Sequence, residues 1–163
     1  MIEIRETLEF LTARAVEFII IGGVAANIHG STQATFDLDI CYARNARNLE
    51  RLGLALIDIH ATLRNAPPDL PFRPDAETLR RGLNFTFNTD LGTLDLLGEV
   101  AGVGTFEDIV GACQTTELFG KHYSVISLPH LISAKRAAGR AKDLSALPEL
   151  EAILEYQRND QAT

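Results

Sequence analysis

Apolar residues recur three or four apart over residues 4–14 (IRETLEFLTAR), where Ile4, Leu8 and Leu11 alternate with glutamate and arginine. That spacing predicts an amphipathic helix. Residues 16–21 are β-branched and aromatic but for Glu17, too short for a helix, and predict a buried strand ended by Gly22-Gly23. Residues 24–29 predict a helix whose amino end sits at that glycine turn, with Gly30-Ser31 closing it. In the strand predicted over 36–42, Asp37, Asp39 and Cys41 face one way and Phe36, Leu38, Ile40 and Tyr42 the other. Leu49, Leu52, Leu56 and Ile59 set a second helix over 45–60.

Residues 61–75 hold four of the six prolines, too many for regular structure, and read as a surface connection or a substrate-facing lid. LNFTFN (83–88) and GTLDLL (92–97) predict a β-hairpin whose second arm carries Asp95. A short helix over 106–113 and a second hairpin over 116–127, turning at Gly120, come next. Pro129 opens a C-terminal helical region, with a last helix over 148–156 and a polar tail that frays. The order predicts an α/β (α+β) fold: a mixed β-sheet flanked by helices, with C-terminal helices. One domain over 1–157 and a tail over 158–163 are expected.

Composition narrows the classes. Hydrophobic residues at 46% and charged residues at 23% are those of a soluble globular chain. No apolar run approaches the roughly 20 residues of a membrane span, and the opening MIEIRE bears acids where a secretory signal needs lysines, so a cytoplasmic protein is expected. The formal charge of −7 argues against general DNA binding. Cys41 and Cys113 form no metal-binding spacing, and Cys41 reads as a buried small hydrophobe. The four histidines show no metal spacing either, and His29 reads as packing or capping.

Three aspartates stand in apolar, strand-like surroundings: Asp37, Asp39 and Asp95. An ionised carboxylate there is costly unless paired or bound to a cation. Asp37 and Asp39 share a strand face roughly 6.6–6.8 Å apart, and with a third acid could hold two hard cations about 3.5–4 Å apart. No arginine or lysine lies within five residues of Asp95. Gly22-Gly23, between strand and helix, is a place where backbone N–H groups cradle phosphate, although neither the Walker A nor the GxGxxG spacing is present.

Ile21-Gly22-Gly23, then Asp37-Leu38-Asp39 after 13 intervening residues, then Leu94-Asp95-Leu96, together resemble the polymerase-β-type nucleotidyltransferase superfamily. GGVAANIHG, ATFDLDI, LGTLDLLGEV and AAGRAKDL look like its small single-domain bacterial branch, related to AbiEii-type toxin/antitoxin nucleotidyltransferases. The resemblance implies that Asp37, Asp39 and Asp95 bind Mg2+ (or Mn2+), with Asp95 also the base for an acceptor hydroxyl. It implies that Gly22 and Gly23 hold the phosphates of an NTP, assisted by Ser31 or Thr35, and that Lys135 reaches toward them. Gln33 stands where many relatives carry an arginine, and Lys135, Arg136, Arg140 and Lys142 are the replacement cations. The other reading of that cluster is a solvated basic helix face, with Asp143 pairing Arg140. Arg80-Arg81 reads as a surface helix end or as a contact to triphosphate or acceptor.

The expected activity is metal-dependent transfer of NMP from an NTP to a hydroxyl of an RNA, protein or small molecule. The alternative is a toxin-antitoxin component that acts as a binding partner with weak or lost catalysis. The expected partners are a nucleoside triphosphate, with a tRNA or a cognate toxin or antitoxin protein as candidates, and no membrane.

Overall fold

The computed structural model describes residues 4–162; the first three residues of the acid-bearing opening and Thr163 of the tail lie outside the described residues. Helix α1 (Ile4–Ala13) buries Leu8 and Leu11. Strand β1 (Phe18–Ile21) runs directly into α2 (Gly22–His29), which ends at the left-handed Gly30. The glycine pair is therefore the first turn of the helix, two residues earlier than the apolar pattern predicts. Strand β2 (Leu38–Tyr42) leads to α3 (Ala46–Asp58), whose amino end is capped by the Asn45 side chain.

Beyond α3 come β3 (Thr62–Leu63), α4 (Ala76–Arg81), β4 (Asn84–Thr89) and β5 (Gly92–Leu97). A small ribbon of β6 (Glu99–Val100) and β7 (Gly104–Thr105) precedes α5 (Phe106–Ile109), extended by one 3-10 turn over Val110–Ala112. The hairpin β8 (Gln114–Leu118) and β9 (Lys121–Val125) is followed by α6 (Leu128–Ala138) and α7 (Ala141–Gln161).

Seven strands form one mixed sheet in the order β3-β4-β5-β2-β1-β9-β8. The central β2 pairs antiparallel with β1 and parallel with β5, and β1 pairs parallel with β9. This is the mixed sheet with flanking and C-terminal helices that the order of elements predicts. Leu38, Ile40, Tyr42, Leu94 and Leu96 are wholly buried in its middle, with Leu52 and Leu56 of α3 also in the core. No described helix is long and apolar enough to cross a membrane.

Four local expectations are corrected. The strand predicted over 36–42 begins at Leu38, because residues 31–36 bond elsewhere: Asn27 Nδ2 donates to the Ser31 and Gln33 carbonyls, and Thr32 N and Oγ1 donate to Glu149. The proline-rich 61–75 segment does contain a strand, β3, paired to β4. The last helix starts at Ala141 rather than Pro148 and runs to Gln161, so residues 158–161 of the tail are helical and exposed. An interior proline costs about 3 kcal/mol, but burying Leu147 and Leu150 returns roughly 1.5–3 kcal/mol each and carries the helix through it. The basic cluster over 135–142 is not one helix face, since left-handed Gly139 separates Lys135 and Arg136 on α6 from Lys142 on α7.

Candidate active site

The sheet register lines up the acids. Asp39 lies opposite Ile21 of β1 and beside Asp95 of β5, and Asp95 in turn lies opposite Thr86 of β4. Two carboxylates at matched positions of adjacent strands share one face. Burial first, then the Asp95 charge and a hydrogen bond with it, then Asp37, push the Asp39 carboxyl up to about 7, with Lys135 pulling the other way.

The backbone beneath this pair is glycine of necessity. Gly22 has φ +64°, and a Cβ there would fall 2.0 Å from Asp39 Oδ2. A Cβ on Gly23 would fall 2.5 Å from Thr35 Oγ1, so both glycines are filled against site side chains. Ile21, at the N-cap of α2, supplies no side-chain hydrogen bond to the first N–H groups of the helix.

Asp37 stands one residue before β2 with Oδ1 2.5 Å from the Thr93 hydroxyl, which donates to it. Asp95 Oδ1 accepts from an Arg64 guanidinium nitrogen at 2.7 Å, and the same nitrogen donates to the Phe87 carbonyl at 3.1 Å. Arg64 follows β3 directly and is anchored by its backbone N–H on Thr86 O. Sequence reasoning missed this cation because it lies 31 residues from Asp95; only the pairing of β3 with β4 brings it there.

From the C-terminal side, Lys135 and Arg140 reach toward the pair. Both bond to Asp143: Arg140 Nε to Oδ2 at 2.6 Å and Lys135 Nζ to Oδ1 at 3.5 Å. Burial works against the Asp143 carboxylate, yet Arg140 and Lys135 outweigh it and hold the group below its ordinary range. Arg140 is pushed up in return, chiefly by its hydrogen bond to Asp143.

Asp39, Asp95, Gly22, Lys135, Arg140 and Asp143 line one cleft of about 400 Å³, whose other wall is apolar, with Phe85, Leu97, Val100 and Leu131. Of the predicted site residues, Asp37, Gly23, Ser31 and Thr35 do not line it. The Ser31 hydroxyl accepts from the Gln33 N–H at 3.2 Å, and Thr35 Oγ1 donates to the Asp37 carbonyl at 3.2 Å. His29 Nε2 lies 2.7 Å from Ile126 O and joins α2 to the chain after β9. Arg80 and Arg81 both pair with Glu77, and Arg136 pairs with Glu151.

The donors are carboxylate oxygens alone, suited to a hard divalent cation, and the crowded Asp39–Asp95 pair is the kind of charge that such an ion relieves. That donor set fits magnesium or manganese. Among the described residues, no three side chains of metal-ligating type close on a single point: Asp37 is turned to Thr93, and Asp95 is shared with Arg64.

No protein-family model matches the chain, and no curated protein matches it in sequence. Solved structures similar over nearly its whole length include the following three. The lincosamide antibiotic adenylyltransferase LnuA, in its lincomycin-bound form, is 15% identical with a TM-score of 0.59, over 93% of this chain and 96% of that one. The antibiotic-resistance factor ANT(2'')-Ia is 14% identical with a TM-score of 0.55, over 98% and 91%. The candidate nucleotidyltransferase TM1012 from Thermotoga maritima is 14% identical with a TM-score of 0.56, over 91% and 94%. At these identities the likeness is one of fold. The chain has a nucleotidyltransferase fold.

Proposed function

We propose that the protein transfers a nucleoside monophosphate from a nucleoside triphosphate to a hydroxyl of a small-molecule acceptor. The observation that carries this reading is the in-register Asp39–Asp95 pair, set above Gly22 and facing Lys135 across one cleft. Asp39 and Asp95, with Asp37 beside them, would hold magnesium or manganese; when bound, the ion supplies charge neutralisation for the triphosphate. Lys135 and Arg140 face the same cleft and meet the phosphate oxygens. The uncapped N–H groups at the start of α2 add backbone donors. Asp95 takes the proton as the acceptor oxygen bonds to the α-phosphorus, and the bond from that phosphorus to pyrophosphate breaks. Phe85, Leu97 and Val100 form a wall that sheds water and suits an apolar acceptor body or base.

A small acceptor is favoured over RNA by the charge of −7. LnuA and ANT(2'')-Ia, of the same fold, carry names that tie them to antibiotics. A nucleoside triphosphate substrate supports the expectation of a cytoplasmic protein under this reading. The test is incubation with each of the four α-labelled NTPs, magnesium and a panel of hydroxylated small molecules. One acceptor should be labelled, and Asp95→Asn should lower the rate by about 10²–10⁴. Absence of label with all four NTPs, together with no magnesium-dependent nucleotide binding in calorimetry, would sink the proposal.

A second reading, a nucleotidyltransferase-fold binding partner of toxin-antitoxin type with lost catalysis, is favoured by one observation. The candidate base Asp95 is neutralised by Arg64. Arg64→Ala separates the two: an enzyme changes its rate, whereas a protein without turnover stays inactive with every NTP.

A further inference from the structure

Two cations reach the cleft from opposite sides of the Gly139 turn, and one carboxylate holds both. The Asp143 side chain is 1% exposed and lies in the first turn of α7. Its Oδ2 accepts from Arg140 Nε at 2.6 Å, and its Oδ1 accepts from Arg140 Nη2 at 3.3 Å and Lys135 Nζ at 3.5 Å. A carboxylate buried this completely persists only when paired on both oxygens, which ties the two cations to fixed directions. The Lys135 side chain is 17% exposed and that of Arg140 is 64% exposed; long side chains of this kind lose rotamer freedom when they bind, unless something has already taken it. All three residues line the cleft that contains Asp39 and Asp95. An i,i+3 pair on a helix surface would leave its carboxylate in water and would not recruit a lysine eight residues earlier on another helix.

We infer that Asp143 is a positioning residue, which aims Lys135 and Arg140 at the polyphosphate of the bound nucleotide; this rests on the nucleotidyl-transfer reading for the nature of the ligand. These three side chains carry a net charge of +1, which offsets part of the Asp39 and Asp95 charge lining the same cleft, so that with magnesium bound the site attracts an anion, while the Asp143 carboxylate itself touches no phosphate. This creates a test of sign. Coulomb's law alone has the loss of a carboxylate beside an anion site tighten anion binding. Loss of positioning weakens it.

The measurement is calorimetric binding of inorganic tripolyphosphate with magnesium at fixed ionic strength, with melting temperature recorded for each variant. Asp143→Asn is expected to weaken binding about tenfold, Asp143→Glu to restore part of it, and Arg140→Ala to weaken it about tenfold, since one charge-assisted contact is lost in each case. The double variant Asp143→Asn/Arg140→Ala should bind within about threefold of either single variant, because both remove the same contact. In transfer assays Asp143→Asn should raise the nucleotide KM with kcat nearly unchanged. Unchanged or tighter tripolyphosphate binding by Asp143→Asn overturns the inference. Should that variant fail to fold, unchanged binding by Arg140→Ala overturns it equally. Tripolyphosphate binding that follows these rules without any transfer would defeat the enzyme reading alone; transfer with both variants binding normally would defeat the positioning role alone.

Discussion

At pH 8 the Asp39→Asn protein should melt about 5–10 °C above the wild type in the absence of divalent cations, and the gap should close as the pH falls toward 4. Folding moves the Asp39 carboxyl from 3.8 to about 7, through burial and the neighbouring Asp95 charge. The fold therefore favours the protonated form. Between those two values the unfolded chain has released a proton that the folded chain keeps, so stability falls as pH rises and levels off above 7. The displacement corresponds to about 4 kcal/mol at most, and to roughly 2–4 kcal/mol once solvent at the cleft mouth takes its share. Asparagine removes the titration and gives Asp95 an amide donor in place of a second charge.

Asp143, Glu77 and Glu149 are held below their ordinary values and act with the opposite sign, so the quantity to compare is the difference between the two proteins across pH. An Asp39→Asn variant less stable than wild type at pH 8, or a gap that ignores pH, would refute this account of the pair. The same variant should lose transfer activity. Stability gained by removing a charge at the price of function is the mark of a site built from mutually repelling groups.

How much of this could be read from the residues differs from one part of the site to the next. Asp39 and Asp95 were legible because each interrupts an apolar run, and a charge in a strand interior demands a reason. The sheet order adds what alternation cannot, that β2 and β5 are neighbours in parallel with these residues side by side. Asp37 illustrates the limit of alternation. It shares a predicted face with Asp39, yet it sits before the strand, because Asn27, Glu149 and Thr93 hold the preceding loop in side-chain bonds.

Arg64 was hidden in a segment whose prolines speak of loop, and two residues of β3 suffice to deliver it. The basic cluster over 135–142 was visible as a patch but not as a device. Its geometry depends on Gly139 adopting a left-handed turn and on Asp143 being buried against Lys135 and Arg140. Charge patterns report which groups exist; which of them meet is decided by turns of a few residues, where pattern is weakest.

Gly22→Ala should destabilise the protein by about 2–4 kcal/mol and reduce transfer at least a hundredfold. Two costs combine. A side chain at φ +64° carries roughly 1–2 kcal/mol of backbone strain, and its Cβ would meet Asp39 Oδ2, Cγ and Cβ at 2.0, 2.8 and 2.9 Å. The carboxylate must swing away, and with it goes the register with Asp95. Gly23→Ala is the control: its φ is ordinary and its Cβ meets only the Thr35 side chain, at 2.5 Å to Oγ1, which has a χ1 rotation to give. It should cost less than Gly22→Ala.

The double variant Gly22→Ala/Asp39→Ala isolates the contact from the backbone term. Truncating Asp39 removes the 2.0 and 2.8 Å collisions and leaves the strain and the 2.9 Å approach, so the double variant should be at least about 1 kcal/mol more stable than the sum of the singles predicts. Denaturant unfolding of the four proteins measures that coupling. Strict additivity would mean that Gly22 serves its own turn alone. Coupling would mean that this glycine is required because the carboxylate of Asp39 occupies the space a side chain would need, which makes the first turn of α2 and the acid-bearing face of β2 a single unit.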